Sequence, residues 1–322
     1  MRISIVLCTW NGERYLGPQL DSLLAQTRRP DEIVVADDVS SDGTWALLEA
    51  FTARARALGI DVDLRRNPVN LGYVGNFSAG LLRATGDLLF LCDQDDVWHP
   101  EKLERMEAEF LRRPGLGLLH TDARLVDADG GDLGCSLFEA LEMTREELEA
   151  EHSGRAFEVQ LRRNTVTGAT AALRSALLPG VLPVPAGWVH DEWLAMAFSM
   201  RSQVDCLEWP SIDYRQHGAN QIGIRRRTAA EKLFNPHVDK RGFMAVVAGR
   251  LEHVLRTGPG LGLPPEQLRE VAGKAAHSRF RAELPRSATR RVGAVLREVR
   301  TGRYRRYSSG LRSILSDLVD LN

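Results

Sequence analysis

Apolar residues in the first hundred positions fall into blocks of two periods. Residues 3–8 (ISIVLC), 32–36 (EIVVA) and 88–92 (LLFLC) are short aliphatic runs ended by polar residues or Gly, the pattern of strands buried on both faces. Between them, Tyr15, Leu16, Leu20, Leu23 and Leu24, then Trp45, Leu47, Leu48 and Phe51, recur at helical spacing. A weaker strand is predicted over 61–65, a helix over 70–84, and Pro100 stands where a helix can start. This alternation predicts an α/β fold with a mostly parallel sheet flanked by helices. Ligands of such sheets bind at the carboxyl ends of the strands. Polar groups fall there three times: Thr9 and Asn11, Asp37 and Asp38, then Asp93, Asp95 and Asp96.

Further along, residues 132–163 read as a charged insertion of no legible role, with helical propensity in 139–151. Residues 188–200 predict the start of an amphipathic helix, and 204–214 a strand leading into Arg215-Gln216-His217. After about residue 228 the chain turns Ala-, Leu- and Arg-rich, and breaks at 258–265 and Pro285 divide it into predicted helices. The expected organisation is an α/β domain over 1–227 and a helical, Arg-rich region over 228–322.

Composition narrows the class. A 322-residue chain with 43% hydrophobic and 26% charged residues has the make-up of a soluble globular protein. No apolar run approaches the roughly 18–20 residues of a membrane span. The N-terminal run stops at Thr9 and Asn11, too short for a signal-peptide core, so a cytoplasmic protein is expected. Cys8, Cys92, Cys135 and Cys206 form no Cys-x-x-Cys pair, which argues against a thiolate zinc site and for buried, reduced thiols. Net charge is −1, yet residues 279–312 hold eleven Arg against Glu283 and Glu298. That asymmetry suggests an anionic partner, namely an anionic membrane surface with peripheral contact, a lipid phosphate or nucleic acid; the alternatives are a solvated helix face, a helical cap or a contact in a homo-oligomer. Aromatic interleaving is too sparse to predict nucleic-acid binding.

The chemistry concentrates in Leu91-Cys92-Asp93-Gln94-Asp95-Asp96, where a buried strand delivers closely spaced carboxylates into a loop. Hard oxygen ligands suit Mg²⁺ or Mn²⁺ beside a substrate diphosphate. IVLCTWNGERYL, DEIVVADDVSSDGT and NLGYVGNFSAGLLRATGDLLFLCDQDDVW together resemble an inverting family 2 glycosyltransferase. The likeness runs over about residues 3–225. Asp-Gln-Asp-Asp-Val-Trp, NTVTG at 164–168, His190-Asp191-Glu192-Trp193 and Tyr214–Asn220 are most similar to its rhamnosyltransferase-like branch.

The resemblance implies a GT-A fold, a dTDP- or UDP-sugar donor (dTDP-L-rhamnose first) and a hydroxyl-bearing glycan, lipid-linked or small-molecule acceptor. It places Thr9, Asn11 and Glu13 near the nucleotide, and Asp37, or Asp38 in exchange, at the pyrimidine. It puts Asp93 at the ribose or sugar, Asp95 on the metal, and Asp191 in the role of catalytic base, with Glu192 as rival. His217 is a candidate further metal ligand and Arg215 a candidate phosphate ligand. Trp98 and Trp193 could stack on a sugar or pack in the core, and Gly168 could admit close backbone approach or make a turn. Val39 stands where the family more often has Gly, which predicts an altered turn. The chain lacks the Gln-x-x-Arg-Trp block of processive synthases, so one sugar per binding event is expected. Two other readings compete. A nucleotidyltransferase would favour a Gly-rich loop with Lys near the N-terminus, and residues 8–17 hold no Lys. A non-catalytic carbohydrate- or partner-binding module would tolerate loss of Asp95.

Overall fold

A computed structural model of the chain describes residues 1–218 and 239–319. The expected boundary at 227/228, and Ala219 and Asn220 of the last motif, lie outside the described residues. The chain divides into two compact units. The first contains Met1–Ala156 and the residues from Thr165 onward to Gly218; the second contains Phe157–Asn164 and residues 239–319.

The first unit is built on one sheet. Strands β1 (Ile3–Thr9), β2 (Glu32–Asp37), β3 (Asp61–Arg66) and β4 (Leu88–Cys92) run parallel in the order β3-β2-β1-β4. Helices α1 (Glu13–Leu24), α2 (Thr44–Ala57) and α3 (Gly72–Leu81) form the crossovers. Every residue of β1, β2 and β4 is buried, as the unbroken apolar runs require. The register aligns Thr9 with Asp37, and Leu7 with Cys92, so the three strands end at one edge and deliver their polar loops together.

Beyond β4 the sheet turns mixed. β8 (Ala172–Arg174) is antiparallel to β4 and to β6 (Leu116–Val126), β9 (Gln203–Arg215) is parallel to β6, and β5 (Val97–Trp98) closes antiparallel on β9. A short β7 (Asp132–Ser136) pairs with β6. The result is a curled, mostly parallel α/β sheet flanked by helices. Helix α4 (Lys102–Arg112) follows Pro100, and α5 (Leu137–Ala140) and α6 (Arg145–His152) come from the charged insertion. Helix α6 opens on a capping box between Thr144 and Glu147, which satisfies two orphan backbone donors. The next helices are α7 (Ala156–Arg162) and α8 (His190–Ser199). Helix α8 corrects the expected amphipathic helix: His190 and Trp193–Ser199 are all buried, so it is a core helix polar only at its first turn.

The second unit is helical: α9 (Lys240–Thr257), α10 (Pro265–Ala282), α11 (Ala288–Arg300), α12 (Arg303–Tyr307) and α13 (Leu311–Val319). Leu284, Ala294, Val295 and Tyr304 form a small core. Much of the arginine run is tied internally: Arg281 holds Asp317 through two bonds of 2.7 and 2.8 Å, Arg306 holds Glu270 at 2.7 Å, and Arg279 pairs with Glu252. Arg290, Arg297 and Arg300 of α11 remain exposed. None of the described helices is long and apolar enough to cross a membrane.

Candidate active site

The loops after β1 and β2 lock each other. Asn11 Oδ1 accepts from the Ser41 backbone at 2.8 Å, Glu13 Oε2 accepts from the Gly43 backbone at 2.9 Å, and the Gly12 N–H donates to Thr44 Oγ1 at 2.8 Å. Asn11 and Glu13 are thus loop braces with exposed side chains at the carboxyl edge. Thr9 and Asp37 are buried and bonded to each other at 3.1 Å; Asp37 also accepts from Ser40 and faces Arg66 at 3.4 Å. Asp38 accepts from Asn67 Nδ2 and the Leu71 backbone, both at 2.8 Å.

Val39 adopts φ +65°. The turn therefore keeps the left-handed conformation that suits Gly instead of changing, and a β-branched residue carries the strain. Left-handed backbone costs a non-Gly residue about 1–2 kcal/mol, against about 0.5–1 kcal/mol for the extra unfolded-state freedom of Gly. Val39→Gly is expected to raise the melting temperature of the first unit by about 2 °C, read by scanning calorimetry; a fall would show that the Val side chain stabilises the loop more than its backbone strains it.

Asp93, Asp95 and Asp96 follow β4 directly, and Asp191 reaches the same place from α8. Burial, with the charges of Asp95 and Asp191 beside it, raises the Asp93 carboxyl to about 7. Burial, with Asp95 and Asp93, holds Asp96 well above the ordinary carboxylate range. Asp96 accepts from the Arg215 backbone at 3.0 Å through Oδ1, while its buried Oδ2 has no partner among the described residues. His217 Nε2 lies 2.8 Å from Asp95 Oδ2 and stacks on Tyr15 with ring centroids 4.5 Å apart. Neighbouring carboxylates raise each other's pKa, and Asp95 with His217 offers two donor atoms 2.8 Å apart to a divalent cation.

One cation is already built in beneath the cluster. Lys102 is fully buried, donates to the Ala169 carbonyl at 2.7 Å and sits 3.7 Å over the Trp98 ring. Burial lowers its ammonium to about 7, against the pull of Cys92, Asp96 and Asp93. Sequence reading missed Lys102; the only signal was its place in the first turn after Pro100. It also missed Gln94, whose amide pairs with both backbone groups of Trp10, at 2.8 and 3.1 Å, and ties the β1 and β4 loops together. Asn76 was missed as well: buried on α3, it donates to the Ala36 carbonyl at 2.8 Å.

Arg215, the candidate phosphate ligand, is held by backbone carbonyls. Its guanidinium bonds the carbonyls of Asp95 at 2.8 Å and Ala128 at 3.1 Å, so it fastens the carboxylate loop to the turn after β6. Trp98 and Trp193 are packed in the core, the latter donating to the Val181 carbonyl at 2.8 Å; neither ring faces a sugar site.

Asp191 is fixed by two backbone donors, Gly168 N–H at 3.1 Å and Glu192 N–H at 2.7 Å. Burial nevertheless raises its carboxyl to about 6. Neighbouring His190 turns inward, stacks on Phe77 at 4.2 Å and is held neutral by burial, which lowers its pKa to about 3. Gly168 is required by close approach: a Cβ there would lie 2.8 Å from His190 Nε2 and 3.6 Å from Asp191 Cβ. Gly168→Ala is expected to displace His190 or Asp191 and lower the melting temperature by a few degrees, read by scanning calorimetry; an unchanged melting temperature would show that the approach is not close.

The sheet, the acidic strand-end loop and the carboxylate on a buried helix define a GT-A fold with an acidic cleft edge. Residues 4–126, under two fifths of the chain, match the family model described as Glycosyl transferase family 2. An uncharacterized glycosyltransferase of Nostoc sp. is 35% identical over 132 residues, covering 41% of this chain and 39% of the relative. The Escherichia coli enzyme WfgD, a UDP-Glc:alpha-D-GlcNAc-diphosphoundecaprenol beta-1,3-glucosyltransferase, is 27% identical over 126 residues, 39% of this chain and 47% of WfgD. The chain thus spans about two fifths of the length of the first curated relatives it matches.

Structural likeness extends further. S. aureus TarS 1-349 in complex with UDP-GlcNAc superposes with TM-score 0.60 at 18% identity, over 98% of this chain and 90% of TarS 1-349. The mannosyltransferase PcManGT of Pyrobaculum calidifontis, in complex with GDP-Man and Mn2+, gives TM-score 0.53 at 17% identity, over 99% of this chain and 86% of that one. At these identities the likeness establishes the fold.

Proposed function

We propose that this protein is an inverting, metal-dependent glycosyltransferase that moves one sugar per binding event from a nucleoside-diphosphate sugar to an acceptor hydroxyl. The observation that carries this is the convergence of Asp93, Asp95, His217 and Asp191 at the carboxyl edge of β1, β2 and β4, in a chain whose first strands and loops match the family model. The braced β1 and β2 loops, with Thr9, Asn11, Glu13, Asp37 and Asp38, shape the nucleotide side. Asp93 faces the donor sugar, Asp95 with His217 holds the metal, and Arg215 positions the loop that carries Asp95.

When bound, the divalent cation neutralises charge on the leaving diphosphate. The imidazole beside Asp95 favours Mn²⁺ over Mg²⁺, which prefers all-oxygen sites. Asp191 accepts the proton of the acceptor hydroxyl as that oxygen bonds the anomeric carbon. The bond to the diphosphate breaks on the opposite face, the nucleotide departs with the electron pair, and the anomeric centre inverts. The two N–H bonds on Asp191 aim the carboxylate, and the buried surroundings keep its pKa close to the working range.

UDP- and dTDP-sugars, dTDP-L-rhamnose first, are the donors to test, because TarS and PcManGT were solved with nucleotide sugars and the last motifs resemble the rhamnosyltransferase-like branch. A panel of these donors with Mn²⁺, with Mg²⁺ and with chelator, scored for nucleotide release with and without saccharide acceptors, tests the proposal. Metal-dependent release from one donor supports it; no release from any donor under any condition contradicts it.

The second unit supports action at the inner face of a membrane. On α11, exposed Arg290, Arg297 and Arg300 lie among exposed Val292, Leu296 and Val299; Leu311, Leu315 and Val319 are exposed on α13. Apolar residues beside arginines suit an anionic headgroup layer. Sedimentation with anionic vesicles should show binding that weakens at high salt and in Leu296→Glu; no binding at low salt would remove this part of the reading.

A further inference from the structure

Four metal-ligating side chains gather around one thiol in the first unit, on residues that the acidic edge does not use. Cys206 lies on β9, cross-strand from His120 on β6, with Asp205 beside it. The last turn of α6, from the insertion that had no legible role, brings Glu151 and His152. The ligand atoms of His120, Glu151 and Cys206 all lie within 4.8 Å of one another, as do those of His152, Asp205 and Cys206. His120 Nε2 is 2.8 Å from Glu151 Oε2, and His152 Nδ1 is 2.7 Å from Asp205 Oδ1.

We propose that this cluster is a zinc site anchored on Cys206, with His120 and Glu151 on its inner side and His152 and Asp205 on its outer side. The donor set of thiol, imidazole and carboxylate is the one zinc takes, and Zn–N and Zn–S lengths of about 2.0 and 2.3 Å put neighbouring ligands roughly 3.3–3.8 Å apart. Within each triad the ligand atoms lie within 4.8 Å of one another, and one four-coordinate ion would draw its ligands from these five donors. Outer-shell support is in place. Thr165 Oγ1 donates to Glu151 Oε1 at 2.8 Å and Arg113 pairs with Asp205, holding two carboxylates in fixed orientation. An entry path exists as well, because the His152 side chain is 41% exposed. The absence of Cys-x-x-Cys hid the site from the sequence, because its ligands come from positions 120, 151–152 and 205–206, brought together by strand pairing and one helix end.

The test uses tag-free, full-length protein carrying Asp95→Asn, so that metal at the acidic edge does not contribute. After dialysis, elemental analysis should find about one zinc per chain. Replacement by Co²⁺ should give a thiolate-to-cobalt charge-transfer band, and zinc added to stripped protein should raise the melting temperature. Cys206→Ser should abolish the band. His152→Gln, at the partly exposed side of the cluster, should weaken zinc binding at least tenfold. Absence of retained zinc and of the cobalt–thiolate band overturns the proposal, as does a band that persists in Cys206→Ser or zinc affinity unchanged by His152→Gln.

Discussion

Asp191→Asn is expected to lower kcat about 10³-fold, within the range that a positioned general base contributes, while nucleotide affinity stays within a few-fold of wild type. The amide matches the carboxylate in size but cannot take the acceptor proton. One of the donors that now aims the group, Gly168 N–H or Glu192 N–H, would face an NH₂ instead of an oxygen; a stability loss of about 1 kcal/mol should accompany the change. The pH profile carries the same information. With the Asp191 carboxyl raised to about 6 by burial, activity should fall tenfold per unit at acid pH and level off near pH 6. A profile flat from pH 5 to 7, or Asp191→Asn retaining wild-type kcat, would transfer the proton-accepting role elsewhere, with Glu192 the next candidate.

Asp95→Asn should be equally damaging by another route: metal-dependent donor binding should weaken at least about 100-fold, because the substitution removes the carboxylate that pairs with His217 and a hard anionic ligand. Its effect on the metal-free protein should run in the opposite direction. The Asp93 carboxyl sits near 7 when folded, partly through repulsion by Asp95, against about 3.9 in an unfolded chain. The folded state therefore binds more protons, and the stability this group contributes, full below pH 4, is lost as pH rises to about 7. Metal-free wild type should melt progressively lower across that window, and Asp95→Asn should show a shallower decline. Identical slopes in the two proteins would mean that the carboxylates do not sense one another.

Much of this architecture was readable from residues alone. The strands Ile3–Thr9, Glu32–Asp37 and Leu88–Cys92 are unbroken apolar runs, and their polar ends lie at one edge because parallel strands with aligned registers must end together. The second half of the sheet was less legible for a physical reason. β6 carries buried His120 and Thr121, half-buried Asp122 and exposed Arg124 among its apolar residues, and polar groups satisfied by tertiary partners look like loop in a linear pattern. β5 and β8, with two and three residues, are too short to show any period. Within the site, carboxylates announce themselves by type, whereas the residues that hold them do not. Gln94, Asn76 and Lys102 act through long-range contacts to Trp10, Ala36 and Ala169 that no local spacing encodes. Arg215 shows the converse: its chemistry suggested phosphate, and the fold gives its guanidinium to backbone carbonyls.

The account turns on the acidic edge being a metal-dependent nucleotide-sugar site. Calorimetric titration of UDP-, dTDP- and GDP-linked sugars into the full-length protein, with Mn²⁺, with chelator and in Asp95→Asn, measures that directly. The expected result is binding of at least one nucleotide sugar that requires Mn²⁺ and is lost in Asp95→Asn. Failure of every nucleotide sugar to bind in Mn²⁺, or binding indifferent to both chelator and Asp95→Asn, would contradict it.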